Sequence, residues 1–513
     1  MLTEIKRKSL GIKGGQLKFL SSDDLREIDY AAKDILWYTG VKILNEDGLR
    51  VLDEAGAVVD YKEKRAWIPP YLVDEAVKKA PKSFRMAGRN PKNTITLNKE
   101  RVYFVMGVGP YAVSADGTMR KPTLKDLQDA YRVVDACENI DIAGFGMWGG
   151  PETPEEDMAL PARVRMLRGY LRVLELTEKP IDMNKTYVYD WEYDRMDTKQ
   201  KLTDILNLEI AVRGSLEELQ KLPLTFWGCD EVVSPLTHHP RDVDCLLFAA
   251  RHGLPLYIGS EPLINATGPA TIAGTLALWT AEVLSGLVLG EMAADPKQRP
   301  PALWITLIGL FDQLTAYGPL LGSPEAALAQ AACAQIAHWY GFPIRGIVET
   351  SSKLPDAQAG YETAVALLVS VMAGINYNTS VGVIGPGEIG INLEKIVLDN
   401  DLIGYIKRVM EGINVSDETL AVDVIEEVGP GGTFLGHPHT RKWFKKEMTF
   451  PKVFERASLS EWQRAGSKDA RQRANERARE ILKHHWPEPL DPDIKKRLIE
   501  YVKKIEKEEA HNY

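Results

Sequence analysis

The sequence predicts an α/β protein, a TIM (β/α)8 barrel with an N-terminal helical/β cap and C-terminal helices. Three observations carry the prediction. Short apolar runs, LPLTFWGCD, PLYIGSEP, PALWITLIG and FPIRGIVE, each lead through a polar or glycine-containing turn into a long apolar or amphipathic stretch. Those stretches, residues 242–252, 274–294 and 323–340, have the length of helices, and strands alternating with helices build parallel sheets rather than hairpins. No GxGxxG follows an early strand, which favours a barrel over an open dinucleotide-binding sheet. The 513 residues suit one barrel enlarged by insertions, with the cap at 1–121, the barrel at 122–457 and a helical extension at 458–513.

Taken in order, residues 22–55 place apolar side chains at three- and four-residue spacing, and Ser21 and Ser22 stand before Asp23 and Asp24 as a helix start. Between 67 and 116 the pattern changes to short β-rich runs, ITL and VYFVM, broken by NPKN, GVGP and ADG. This reads as a small sheet capping the main domain. A helix over 123–137 then leads into IDIAGFGMWGG and begins the strand–helix rhythm. The segment NKTYVYDWEYDRMDTKQ, 184–200, is rich in aromatics and acids for a barrel loop; it reads as a lid, a subunit contact or a solvated loop. From 458 to about 507 the chain is charged and helical, interrupted at HHWPEPLDP, where prolines make a turn.

Composition excludes several classes. The net charge is −9, from 63 Lys+Arg against 72 Asp+Glu, and no basic block marks a nucleic-acid interface. The basic residues of 468–479 alternate with acids, the pattern of a solvated helix face or a docking surface. Four cysteines, Cys137, Cys229, Cys245 and Cys333, form no CxxC pair and have no histidine at ligand spacing, so neither a metal site nor a disulfide framework is expected. The N-terminus lacks an apolar signal core, and the apolar stretch 276–293 contains Glu282 and Glu291. A cytoplasmic protein with no membrane span is expected.

Four long segments carry a family likeness: EPLINATGPATIAGTLALWTAEVLSGLVL (261–289), SPEAALAQAACAQIAHWYGFP (323–343), KLPDAQAGYETAVALLVSVMAGINYN (353–378) and GPGGTFLGHPHT (429–440). In this order, and with ADGTMRKPTLKDL (115–127), they resemble the trimethylamine methyltransferase superfamily over most of residues 20–460. The resemblance implies a TIM barrel whose mouth receives the corrinoid of a separate small protein, with no corrinoid tightly bound to the barrel itself, and a homo-oligomer. Archaeal trimethylamine enzymes of the superfamily carry pyrrolysine, whereas this chain contains only the twenty common residues. Members without pyrrolysine resemble quaternary-amine methyltransferases, which implies transfer of a methyl group from glycine betaine or a related betaine to a Co(I) corrinoid. A non-catalytic quaternary-amine sensor and a tertiary-amine methyltransferase are the competing readings.

The chemistry suits a chain without pyrrolysine. A quaternary ammonium releases a neutral tertiary amine, so methyl transfer needs no general acid, and the protein's task is positioning, worth roughly 7–11 kcal/mol of barrier. The permanent cation calls for aromatic faces and a carboxylate. Tyr111, Trp148, Trp227 and Tyr317 lie at or just after strands or turns, where barrel ligands bind, and core packing is their alternative role. Glu261, after PLYIGS, is an acid to face the cation or a turn residue. Arg345, in FPIRGIVE, can bind a betaine carboxylate through two parallel hydrogen bonds or pair with Glu349 or another acid. His437 and His439 in the glycine-rich segment suit a substrate carboxylate or the corrinoid edge, or cap a turn. Asp356 is placed to cap a helix on which Gln358 and Glu362, four apart, share one face at the barrel mouth.

Overall fold

The computed structural model describes residues 12–144, 146–147, 160–182, 197–387 and 389–511, with the backbone alone at 146–147, 228–231 and 511. Among the described residues, eight strands, each parallel to its paired neighbours in the series, are each followed by a long helix. The strands are β1 (Arg101–Met106), β2 (Ala143–Gly144, resuming at Gly146–Met147), β3 (Ile181–Asp182), β4 (Gly228–Val232), β5 (Leu256–Ser260), β6 (Ala302–Thr306), β7 (Ile344–Ile347) and β8 (Tyr377–Val381). The helices that follow them are α1 (Leu124–Ala136), α2 (Ala162–Leu176), α3 (Thr198–Arg213), α4 (Pro240–Arg251), α5 (Ile272–Ala293), α6 (Pro324–Tyr340), α7 (Ala357–Ala373) and α8 (Leu393–Met410).

The result is a mixed α/β fold around a parallel sheet. Strands β4, β5, β6, β7, β8 and β1 pair in that order, all parallel, with Ile305 opposite Arg345 and Arg345 opposite Tyr377. A parallel bridge between Val105 and Ile142 joins β1 to β2, and β2 pairs with β3. No pairing of β3 with β4 is present among the described residues. In a flat sheet β4 and β8, four strands apart, would be separated by roughly 19 Å at about 4.8 Å per strand. Yet the ring of Phe226, just before β4, packs edge-on against Tyr377 of β8 with centroids 5.4 Å apart. The sheet is therefore strongly curled.

Alternation along the strands sorts side chains to two cores. Tyr103 and Val105, Tyr257, Leu303 and Ile305, Ile347 and Tyr377 form an inner cluster. Phe104, Ile258, Trp304 and Ile344 point the other way, into the larger core under the helices. One end of the inner cluster is closed by the hairpin of Phe84–Ala87 and Thr94–Leu97, which contributes Met86, Ile95 and Leu97.

The sequence places VYFVM in a cap sheet with ITL, but the structure puts it in the main parallel sheet. It is β1, parallel to β8, and Val102 through Met106 are buried on both faces. A run buried on both sides has no period-two signature to separate a central strand from a cap strand. Local signals did better. The helix over 123–137 is α1, with Thr123 as N-cap in a capping box with Asp126 and Cys137 as C-cap; Ser21 caps Ser22–Asp34 in the same way.

Helix α5 is long and apolar enough to cross a membrane by length and composition, but 78% of its most apolar window is buried inside the fold. It is apolar all round because it is a core helix. Its two acids have partners: Glu282 accepts from the Ser234 hydroxyl at 2.9 Å and the Leu236 N–H at 2.8 Å, and Glu291 pairs with Arg299 at 2.8 Å. Burial raises the Glu282 carboxyl to about 7 against the pull of those hydrogen bonds.

Candidate functional site

Polar groups gather at the carboxyl-terminal ends of the parallel strands, and around β7 they are joined by hydrogen bonds. Past Ile347 the chain runs through Glu349, Thr350, Ser351 and Ser352 to the cap of α7. Asp356 is that cap: its carboxylate accepts from the Ala359 N–H at 3.1 Å and from the Ser352 hydroxyl at 2.9 Å. The Ala359 N–H, first among several hydrogen bonds, holds this carboxyl below its ordinary range.

One turn into α7, Glu362 reaches back over the segment. It accepts from the Thr350 hydroxyl at 2.7 Å, the Ser351 N–H at 2.6 Å and the Gln358 side-chain amide at 2.8 Å. Gln358 and Glu362 thus share a face, as their spacing predicts, and together they clamp the loop after β7. Glu349, at the start of that loop, is 1% exposed and accepts from the Gly387 N–H at 2.9 Å. Gly387 lies at φ +73°, a left-handed conformation that glycine adopts without cost, and this turns its N–H toward the carboxylate.

Two small sheets cover this end. The hairpin of Gly309–Asp312 and Tyr317–Leu320 follows β6, and a side chain at Gly322 would come within 2.8 Å of the Glu349 carbonyl and 3.2 Å of the Glu362 carboxylate. Tyr317, on the hairpin, is 47% exposed. Tyr111, 40% exposed, sits opposite Gly390 in a second sheet with Val383–Ile384 and Met119–Arg120. Glu261, just past β5, is exposed.

Inside the curl is a second polar group. Arg345 projects from the inner face of β7, is 5% exposed, and holds its guanidinium carbon 5.3 Å from the ring centre of Tyr257. Tyr257 stacks on Phe226 at 5.4 Å. The Tyr377 phenol, opposite Arg345 on β8, is raised well above its ordinary pKa by burial and then by the Asp182 carboxylate of β3, with Arg345 opposing. Asp182 is only half-buried. A cation and two phenols therefore lie together on the inner face of the sheet, with the Asp182 carboxylate close to the Tyr377 phenol.

The other predicted residues stand elsewhere. Trp227 is fully buried on the outer face of the sheet, packed near Phe248 and donating to Glu209 at 3.0 Å. It corrects the expectation of a rim aromatic, because Phe226 takes the inward position and alternation sends Trp227 out. His437 caps the helix Pro438–Glu447: its Nδ1 accepts from the His439 N–H at 3.1 Å, and its Nε2 meets Glu427 at 3.3 Å. His439 Nε2 lies 3.4 Å from the Glu418 carbonyl. Both belong to a largely exposed segment, and among the described residues neither bonds to the strand ends. Trp148 and residues 184–196 of the acidic aromatic insertion lie outside the described residues.

Asp182, Tyr257 and Tyr377 were not foreseen as site residues, and Glu349 was foreseen only as a partner for Arg345. The signal available was a polar or aromatic residue within an otherwise apolar strand, which does not say which face it occupies. No group of three or more metal-ligating side chains occurs among the described residues, and Cys137, Cys245 and Cys333 are buried, unbridged thiols.

A family model described as trimethylamine methyltransferase (MTTB) matches residues 5–510. Among curated proteins, a trimethylamine methyltransferase of Desulfitobacterium hafniense is 31% identical over 509 residues, 97% of this chain and 96% of its own. A glycine betaine methyltransferase from another strain of that species is 30% identical over 492 residues, covering 95% and 97%. A trimethylamine methyltransferase of Methanosarcina mazei is 30% identical over 515 residues, covering 97% of each chain.

Proposed function

Because the chain belongs to the trimethylamine methyltransferase family, we propose that it takes a methyl group from a quaternary amine, glycine betaine or a related betaine, and passes it to the Co(I) corrinoid of a separate protein in the cytoplasm. We read the eight parallel strands as a closed TIM barrel with its seam between β3 and β4; the contact of Phe226 with Tyr377 across the interior supports closure. The mouth is then the face that meets the corrinoid protein.

The observation that carries the substrate reading is the order of charges from β7 into the loop after it. Arg345 is on β7 and Glu349 lies two residues past the strand's carboxyl-terminal end, both buried. A betaine has a carboxylate at one end and a trimethylammonium at the other. Lowered carboxylate-first, it meets Arg345 at the bottom, while Glu349 and the rim phenols Tyr111 and Tyr317 surround the cation at the top. That orientation presents an N-methyl group outward. The corrinoid supplies the nucleophile that accepts the methyl group. The residues of this chain hold the C–N bond in line with it, exclude water and need move no proton, since the leaving group is a neutral amine.

Calorimetry with glycine betaine and choline tests this, since both carry the same cation. Losing a charge-assisted contact costs roughly 1.5–3 kcal/mol, so a preference of about ten- to a hundredfold for glycine betaine is expected, and Arg345→Ala should erase it. Equal affinities in the native protein would overturn the reading of the carboxylate. Methyl transfer is followed by the absorbance of a Co(I) corrinoid protein, and betaine binding without that change would identify a sensor.

A further inference from the structure

Between Glu411 and Phe450 only Ala421 and Val424 are buried. This segment leaves the end of α8 and returns to the body where Asp401 receives the N–H groups of Lys452, Val453 and Phe454. It comprises the helices Asp417–Leu420, Val422–Val428 and Pro438–Glu447, joined by the glycine-rich turn that carries His437. At its base Arg408 holds Glu447 at 2.7 Å. Its apolar side chains face outward: Ile413, Val415, Val422, Ile425, Leu435 and Phe450 are all exposed, Leu435 at 87%. Ordering a backbone of this length has a large entropic cost that burial must offset, and this arm buries almost nothing of its own.

Its charges identify what covers it. The two helices before the turn are acidic and Pro438–Glu447 is basic. Within one copy Glu418 is bonded to Lys442 and Glu427 meets His437. Asp417, Asp423 and Glu426 on one side, and Arg441, Lys445 and Lys446 on the other, form no ion pair recorded among the described residues. Three carboxylates and three cations thus remain on opposite halves of one apolar arm. That distribution suits a two-fold interface in which each half meets the other half of its mate.

We propose that residues 411–450 are a dimerisation arm that pairs, antiparallel, with the same arm of a second copy of this chain. The acidic helices of one copy lie along the basic helix of the other, and Ile425, Leu435 and Phe450 form the dry centre. This assignment is independent of the substrate.

Sedimentation of the full chain across a concentration series tests it with two charge-reversed variants, R441E/K445E/K446E and D417K/D423K/E426K. Every altered residue is on the arm, and thermal unfolding verifies that each variant folds. Native protein should form a dimer; each variant alone should raise the dissociation constant at least about tenfold, because its arm then carries one sign of charge. An equimolar mixture should recover native-like heterodimers. Leu435→Asp should weaken the native dimer. A monomeric native protein would overturn the proposal, as would variants that dimerise unchanged or a mixture that fails to pair. If the arm instead seats a corrinoid protein, neither variant moves the oligomeric state, and the proposal fails.

Discussion

Replacing Glu362 by alanine removes the clamp over the loop that carries Glu349 while leaving the strands untouched. Two of its hydrogen bonds, at 2.7 Å to the Thr350 hydroxyl and 2.6 Å to the Ser351 N–H, fix the loop itself. A hydrogen bond to a charged group is worth about 1.5–3 kcal/mol, and the half-buried position of Glu362 puts each nearer the lower end. Losing both should cost about 3 kcal/mol of local order. If the loop must be in place for a methyl donor to be held in line, kcat/KM for transfer to a Co(I) corrinoid protein should fall roughly one- to two-hundredfold. Glu362→Gln keeps an oxygen for both donors and should stay within about fivefold of the native rate. Two results would refute the reasoning. Native kcat/KM in Glu362→Ala would show that the loop does not position substrate, and Glu362→Gln as impaired as alanine would make the charge, rather than the clamp, the active element.

Two further outcomes follow from buried chemistry. Burial raises the Glu209 carboxyl from the ordinary 4.5 to about 7, even though the Tyr170 hydroxyl and the Trp227 N–H both donate to it, at 2.7 and 3.0 Å. The folded state therefore holds a proton that the unfolded state has released between those values, so the contribution of Glu209 is fully present below pH 4.5 and is lost as pH rises to about 7, by about 3 kcal/mol. Glu209→Gln should flatten the fall in unfolding free energy between pH 5 and pH 8, measured in urea; an unchanged slope would assign it to other groups. Since no metal-ligating cluster occurs among the described residues, elemental analysis should find no stoichiometric metal, and dialysis against a chelator should leave betaine binding unaltered.

The sequence alone determined what depends on neighbours within about four residues. Ser21, Thr123, Ser323 and Asp356 all cap helices, because a capping side chain answers an N–H two or three positions away and the pattern is local. The pairing of Gln358 with Glu362 is legible for the same reason, as is the succession of strands and helices that makes the sheet parallel. The tertiary structure decided which side of each strand faces inward and which distant residues meet. It turned Trp227 out and Phe226 in, moved Arg101–Met106 from a cap into the main parallel sheet, and set Arg345 beside Tyr257 and Tyr377 with Asp182 near. It also put His437 and His439 at the start of the helix Pro438–Glu447, where His437 is the cap. In a strand buried on both faces, apolar residues fill every position, so no periodicity marks the inner face; only the curl of the sheet and the register between strands place a lone arginine or tyrosine inside it.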